Sequence, residues 1–159
     1  MTEQINFGKG RTGQAFYDRD LPKALEQAQE YVGKEGSVAT LQDIAQARIL
    51  APKESFVWQN WFTTTSGEYK GHSKDGNAVY VVAHNVGPLT DPGRIRQAYE
   101  EKLTRGAAKL TKKEFYALLG QEDGKKVIVL DFDKVKKLKS EVISVESARD
   151  NLLVRARLG

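Results

Sequence analysis

The chain has 159 residues, a net charge of +4 and no cysteine, which excludes disulfides, thiolate zinc sites, iron–sulfur clusters and a cysteine nucleophile. Its length favours a single domain over residues 1–159, and surface-area scaling allows about 69% of the surface of the extended chain to be buried without a disulfide or a metal. We find neither an apolar run of membrane-spanning length nor a secretory signal in the sequence, so we expect a soluble, cytoplasmic protein with no membrane partner.

The first 19 residues show no helical periodicity, and we expect them to form a mobile N-terminal arm with one short strand. Gly8, Gly10 and Gly13 in this arm match the pattern G-x-G-x-x-G of dinucleotide-binding loops. Such a loop needs a strand before it and a helix that opens inside it, whereas only seven residues precede Gly8 and the next predicted helix begins near residue 21. We therefore expect no cofactor at this motif.

Two helices are predicted after this arm. Pro22 suits the first turn of a helix, because the N–H that proline lacks has no partner there in any case, and Gly33 or Gly36 ends the helix. Ser37 is the predicted N-cap of the second helix, which Pro52 ends. The predicted buried face of the second helix consists of Val38, Leu41, Ala45 and Ile49.

An antiparallel meander of three strands is predicted next, at about residues 56–84. Its first part, residues 55–65, is rich in the aromatic and β-branched side chains that are typical of strands. Two further strand-like segments flank the Asp75-Gly76 pair, which is a strong signal for a β-hairpin. These two segments cover residues 68–73 and 77–84.

The two histidines of the chain, His72 and His84, lie in this predicted hairpin. If the hairpin has a two-residue turn, Lys74 pairs with Asn77, and the two histidines then face opposite sides of the sheet. Histidines placed in this way cannot bind the same metal ion. We therefore expect no metal site.

The second half of the chain shows further helical and strand patterns. A helix is predicted from Thr90, and Thr111 with Glu114 forms a capping box for another helix. Residues 127–131 are predicted to form a short buried strand, which is followed by a helical turn capped by Asp133. The remaining predictions are helix ends at Leu103 with Gly106 and at Gly120, a strand at residues 142–145 and a helix at residues 147–158. The predicted fold class is therefore α+β, in which helices pack against a sheet made of the meander and the strand at 127–131.

The positive charge is concentrated in residues 109–139, which hold nine lysines and five acidic residues. Such a segment can bind nucleic-acid phosphates, because each neutralised phosphate releases counterions. The segment has no arginine, the residue type that recognises bases best, so we expect either a solvated surface or non-specific phosphate contacts. The candidate anion-binding residues are Lys112, Lys113, Lys134, Lys136 and Lys137.

His84 is the first candidate for catalysis. It ends an apolar strand and opens the loop to the helix predicted at Thr90, a position where polar side chains and free amides can converge on an anion. Asn85 and the amide of Gly87 are the ligand contacts predicted beside it. The alternative is a histidine at the end of a strand that hydrogen-bonds to the backbone and has a structural role.

Asp131 and Asp133 are the second catalytic candidates. They follow a buried strand with the D-x-D spacing that holds magnesium in some phosphoryl-transfer enzymes. Only 26 residues follow Asp133, too few for the rest of such a site. A role of Asp133 as an N-cap is the simpler explanation.

Trp58 and Trp61 are the aromatic candidates for contact with a ligand, because a strand would point them to opposite faces and could leave one ring exposed. The alternative is that helices cover both faces of the sheet and that both rings belong to the core. No nucleophile or metal cluster accompanies them, so the sequence favours a small non-catalytic binding or interaction domain. The sequence does not identify its partner, for which another protein is one candidate. Two alternatives stay open. The first is a protein that binds nucleic acid through residues 109–139, and the second is a small hydrolase or transferase that uses His84.

Overall fold

The computed structural model of the chain describes residues 4–100, 109–138 and 144–159. The class is α+β, as predicted, because these residues combine short helices with one two-stranded and one three-stranded antiparallel sheet. Every helix in the described ranges is too short or too polar to cross a lipid bilayer.

The glycine-rich segment near the N-terminus forms a β-hairpin. Strand β1 (Gln4–Gly8) pairs with strand β2 (Arg11–Gln14). Lys9 and Gly10 form the two-residue turn, and both have positive φ angles of 53° and 75°, as a type I′ turn requires. Ile5 is buried in a small core with Ala47 and Val57. The glycines therefore build a hairpin turn, and no helix opens inside their motif.

The two predicted helices after the hairpin are present. Helix α1 (Leu21–Val32) follows Asp20, has proline in its first turn and ends at Gly33, as expected. Helix α2 (Leu41–Leu50) begins later than predicted, because Thr40 and not Ser37 is its N-cap: Thr40 and Asp43 form a capping box. The predicted buried face was also wrong. Ile44 and Ala47 are the buried residues of α2, and Ile49 is exposed.

The strand predicted within residues 55–65 is not formed. Residues 56–59 are instead the short helix α3 (Phe56–Gln59), and residues 60–65 have no regular secondary structure. The side chain of Arg48 donates hydrogen bonds to the carbonyl oxygens of Val57 and Asn60, at 3.1 Å each. The indole N–H of Trp58 donates in turn to the carbonyl oxygens of Arg48 and Ala51 at the end of α2. These bonds attach the segment to α2 instead of to a sheet.

The main sheet has the order β3 (Ser66–His72), β4 (Ala78–His84), β5 (Val127–Asp131), and all its pairs are antiparallel. The hairpin at Asp75-Gly76 is confirmed, but its loop has three residues, because Ser73 donates its N–H to the carbonyl of Asn77 and Gly76 has a φ of 82°.

The longer loop shifts the strand register by one residue from the predicted one. His72 therefore pairs with Ala78, and His84 pairs with Ser66. Since paired residues share a face, the two histidines lie on the same face of the sheet, and the prediction of opposite faces was wrong. They are separated by the length of β4, about 20 Å at strand rise, which is too far for a shared ion.

The main core lies on the other face of the sheet. There Val81, Ala83 and Val127 pack against Phe115 and Leu118. The last two residues belong to α5 (Lys112–Leu119), whose capping box of Thr111 and Glu114 is present as predicted.

Before α5, Pro88–Thr90 form a 3-10 turn, and helix α4 (Pro92–Glu100) follows. The predicted cap was wrong, because Oδ1 of Asp91 and not the side chain of Thr90 accepts the N–H groups of Gly93 and Arg94. The end predicted at Leu103 and Gly106 lies outside the described residues.

Short helices close the chain. Helix α6 (Phe132–Lys136) directly follows β5, and helices α7 (Val145–Asp150) and α8 (Leu152–Leu158) replace the single helix predicted at 147–158. Asn151 separates α7 from α8, because its side chain accepts the N–H groups of Leu153 and Val154 and so caps α8. Of the strand predicted at 142–145, residues 142 and 143 lie outside the described residues, and Val145 begins α7.

Candidate binding groove

A groove with a volume of about 980 Å³ lies beside the N-terminal hairpin. Five parts of the chain line it: the hairpin with the residues after it, α1 with the loop to α2, the start of α2 (Asp43 and Ile44), Phe56 with the segment 60–65, and the Pro88–Leu89 turn with α4. The apolar side chains of its lining include Ile5, Phe7, Leu21, Leu25, Phe62 and Ile95. The groove therefore joins parts of the sequence that are up to about 90 positions apart.

Three large aromatic side chains around the groove are exposed. Trp61 is 96% exposed, Tyr17 is 88% exposed and Tyr31 is 57% exposed, and all three line the groove. The ring of Tyr31 also packs against that of Phe16, at 5.3 Å between centroids. Single exposed apolar side chains are common on any protein surface. Several exposed rings around one concave surface are instead typical of a binding site.

The charged side chains of the groove are only partly paired. Nη1 of Arg11 lies 2.9 Å from Oδ1 of Asp43, and Arg94 pairs with Glu114 at 3.1 Å. Burial acts to raise the pKa of Asp43, but the hydrogen bonds from Thr40 and Arg11 outweigh it, so that the pKa lies below its ordinary value. Asp43 is therefore ionised at neutral pH and fixes both Arg11 and the start of α2.

Asn85 and Gly87, the ligand contacts predicted beside His84, lie behind the groove and not among its lining residues. Asn85 has a φ of 58°, and its side-chain oxygen accepts a hydrogen bond from the buried hydroxyl of Thr65, which does line the groove. The carbonyl of Gly87 accepts the N–H and the hydroxyl of Thr90. Asn85 therefore touches the groove only through Thr65, and Gly87 forms the turn that contains the lining residues Pro88 and Leu89.

His84 is 3% exposed, and each of its ring nitrogens has a partner. Nε2 lies 2.9 Å from the carbonyl oxygen of Ala156 in α8, and since a carbonyl oxygen can only accept, Nε2 donates its N–H to it. Nδ1 lies 2.7 Å from the hydroxyl oxygen of Ser66, and that oxygen accepts the N–H of Leu41. This chain of hydrogen bonds joins α2, the sheet and α8.

The two carboxylates of the D-x-D motif make different contacts. Asp131 and not Asp133 caps α6, through a 3.1 Å bond from the N–H of Lys134, so the predicted cap was shifted by two residues. Asp133 pairs with Lys136 at 2.6 Å, and this ion pair holds its pKa below the ordinary value. Among the described residues, no three His, Asp or Glu side chains are close enough together to bind a metal ion.

The remaining candidates are divided between two regions. Trp61 lies in the groove, whereas Trp58 is held at the end of α2 and stacks under the guanidinium of Arg48, 5.4 Å from the ring centroid. The candidate lysines are exposed on or beside two helices outside the groove: Lys112 and Lys113 on α5, Lys134 and Lys136 on α6, and Lys137 at the end of α6. Anion binding by these five lysines stays a prediction.

An ionic cluster links α8 to the sheet on the face that carries His84. Glu68 accepts hydrogen bonds from the guanidinium of Arg157 and from the hydroxyl of Tyr80. Burial and the hydrogen bond to Glu68 raise the pKa of Tyr80 to about 12. The phenol therefore stays protonated at neutral pH and acts as a donor, which makes the cluster a structural tie.

Sequence reasoning missed most of the groove. Tyr17 and Tyr31 belonged to no motif, and the G-x-G-x-x-G pattern over residues 8–13 was weighed only as a dinucleotide loop, although the positive φ angles that Gly10 allows also suit a hairpin turn. The exposed aromatic residues could not be told from core residues, because their exposure depends on how the hairpin and α1 are placed.

No family model matches the chain, and no curated protein is similar to it in sequence. The chain is similar to a solved structure described as "Accommodation of massive sequence variation in Nanoarchaeota by the C-type lectin fold". The two share 36% sequence identity with a TM-score of 0.77, and the match covers 91% of this chain. The match spans 66% of the other chain, just under two thirds of its length. The likeness shows that this chain has an α+β fold of the C-type lectin kind.

Proposed function

We propose that this chain is a non-catalytic binding domain that takes its ligand in the aromatic groove. The observation that carries the proposal is the position of Tyr17, Tyr31 and Trp61, three exposed rings around one concave, largely apolar surface. Ligand sites are usually concave and apolar with a few polar groups, and about 980 Å³ lies at the upper end of their volume range.

The state of the catalytic candidates supports a role without catalysis. The ring of His84 is buried and both its nitrogens are engaged, so it has no contact with a bound substrate. Asp131 and Asp133 are engaged in a helix cap and an ion pair. These bonds disfavour the alternative of a hydrolase or transferase that uses these residues.

The likeness to the solved structure supports the same role. Domains with the C-type lectin fold are typically binding domains without catalysis. The structure that this chain resembles is described as accommodating massive sequence variation by that fold. A fold that tolerates varied residues suits a domain whose surface side chains, such as Trp61, determine what is bound.

Binding of the dye anilinonaphthalene sulfonate, followed by fluorescence, tests the groove as a binding site. Trp61→Ala removes the most exposed ring of the groove. We expect it to weaken dye binding about three- to tenfold, which is the effect on affinity of losing one aromatic contact. Ala28→Trp places a bulky ring into the groove and should abolish dye binding. Ile49→Ala is the matched control, because Ile49 is an exposed apolar residue that does not line the groove.

Circular dichroism establishes that each variant is folded before its dye affinity is compared. Equal dye affinity of the wild type, Trp61→Ala and Ala28→Trp would contradict the proposal. So would a loss of affinity of the same size in Ile49→Ala.

A further inference from the structure

The free edge of strand β2 borders the groove. Among the described residues β2 pairs only with β1, and all four of its residues, Arg11–Gln14, line the groove. Strand β1 lies on the side of α2, where Ile5 packs against Ala47. The unpaired N–H and C=O groups of a strand edge are a template for a further strand.

The segment Trp61-Phe62-Thr63 offers further backbone groups to an occupant of the groove. In the part of the chain that the structure describes, no backbone hydrogen bond joins these three residues to others. All three line the groove, and Trp61 is almost fully exposed. Backbone groups without partners are satisfied by water or by a ligand backbone.

The interior of the groove suits alternate apolar side chains. β1 has a bulge between Asn6 and Gly8, so alternation alone does not fix the face of Phe7. Gly13 pairs with Ile5, and a Cβ at Gly13 would lie 2.9 Å from the ring of Phe7, so Ile5 and Phe7 lie on the same face of the hairpin, and both line the groove. Leu21 and Leu25 are four apart on α1, on one side of that helix, and also line it. A strand added to β2 would direct every second side chain to this face of the hairpin.

The charges of the groove favour a basic partner. Arg11 is paired with Asp43, and Arg94 is paired with Glu114. The other two charged residues of the lining, Asp18 and Glu35, have no cation within 4.0 Å among the described residues. The uncompensated charge of the groove is therefore negative.

We infer that the groove takes an extended polypeptide segment of a partner protein, which adds as a strand to the free edge of β2, places alternate apolar side chains in the groove and brings lysine or arginine to Asp18 and Glu35. In such complexes the backbone hydrogen bonds give affinity and the pockets for alternate side chains give specificity. The inference rests on the proposed function, because it identifies the ligand of the same groove.

A capped octapeptide in which valine alternates with threonine and lysine stands at both ends is the probe. Titration followed by tryptophan fluorescence measures its affinity, and hydrogen exchange with mass spectrometry locates it. We expect slower exchange at residues 11–14 and unchanged exchange at Ser66–His72 in β3, the internal control. An analogue with alternate amides N-methylated should bind at least tenfold more weakly, because it lacks the donors for the strand edge.

The charge of the partner is tested with the same peptide ending in aspartate. It should bind at least threefold more weakly than the lysine peptide. Glu35→Gln should reduce this difference, because it removes one of the two unpaired negative charges of the groove. Glu35 is exposed, so its replacement leaves the fold intact. Equal binding of the N-methylated peptide, or protection at β3 and not at residues 11–14, would overturn the inference. Concentration-dependent dimers with protected residues 11–14 in the absence of peptide would overturn it in favour of a second copy.

The dye experiment separates the two proposals. If the dye binds in the groove and the peptide neither binds nor protects residues 11–14, the strand inference fails and the binding groove stands. If neither Trp61→Ala nor Ala28→Trp changes the affinity for the dye, the proposed function fails.

Discussion

Replacing His84 by alanine tests whether the most buried histidine of the chain is structural. The change removes two hydrogen bonds, one to the carbonyl of Ala156 and one to the hydroxyl of Ser66. The carbonyl of Ala156 is one of the last four of α8, so it has no partner within the helix when the imidazole is absent. Each hydrogen bond contributes about 1 kcal/mol. The cavity left by a buried ring adds about 1–2 kcal/mol, so that we expect a loss of roughly 3 kcal/mol.

Urea unfolding, followed by circular dichroism, measures this loss as a difference in the free energy of unfolding. His72→Ala is the matched control, because His72 is an exposed histidine on the same face of the same sheet, and its loss should change stability by no more than about 0.5 kcal/mol. If His84→Ala and His72→Ala have the same small effect, the structural role of His84 is refuted. A stable His84→Ala protein that has lost an enzymatic activity would instead favour the hydrolase or transferase alternative.

Two further substitutions test the two faces of the main sheet. Burial acts to raise the pKa of Glu68, but hydrogen bonds from Arg157 and Tyr80 outweigh it and leave the pKa below its ordinary value of 4.5. A carboxyl group whose pKa is lower in the folded than in the unfolded chain stabilises the fold at pH values above its unfolded pKa, and this effect is lost as the pH falls through its folded pKa. The stability advantage of the wild type over Glu68→Gln in urea titrations should therefore shrink as the pH falls below 4.5, and an advantage independent of pH would contradict this. On the opposite face, a Cβ at Gly71 would lie 2.7 Å from the ring of Phe115. Gly71→Ala should therefore cost about 1–3 kcal/mol in thermal unfolding, and Phe115→Leu in the same background should recover part of it, whereas a neutral Gly71→Ala would disprove the close contact.

Local signals predicted several elements correctly because their bonds lie within a few residues. The capping box of Thr111 and Glu114 joins positions three apart, and Pro22 and Gly33 frame α1 through their own backbone preferences. The hairpin at Asp75-Gly76 was found for the same reason. Its register was wrong by one residue, because the hydrogen bonds of Ser73 select a three-residue loop that the Asp-Gly pair does not specify.

The segment 55–65 shows why strand composition alone misled. A strand is stabilised by its cross-strand neighbours, so aromatic and β-branched residues form one only where a sheet edge is available. Here the carbonyl groups at the end of α2 and the guanidinium of Arg48 are the nearer partners, and Trp58 and Asn60 are bound to them. No sequence pattern records that competition, because it depends on where α2 ends in space.

Residue type identified one part of the candidate site, and the position of each residue in the fold decided the rest. Trp61 was identified as a candidate from its residue type, whereas Tyr17 and Tyr31 were not, since an aromatic side chain is exposed or buried according to its neighbours in the fold. His84 was identified correctly as lying at a strand end. Its burial under α8 follows from contacts with Ala156, 72 positions later in the chain.

By itself the sequence determined the ends of α1, the capping box of α5 and the hairpin, because each depends on bonds or turn geometry within a few residues. It also determined the strand at 127–131 from an apolar run, and the α+β class from the order of helix and strand patterns. The tertiary structure alone decided that His84 is buried, that residues 56–65 form no strand of the sheet, and that the hairpin and α1 border a common groove. Those features depend on which surfaces meet, and the free energy that decides between alternative contacts is shared among residues far apart in the chain.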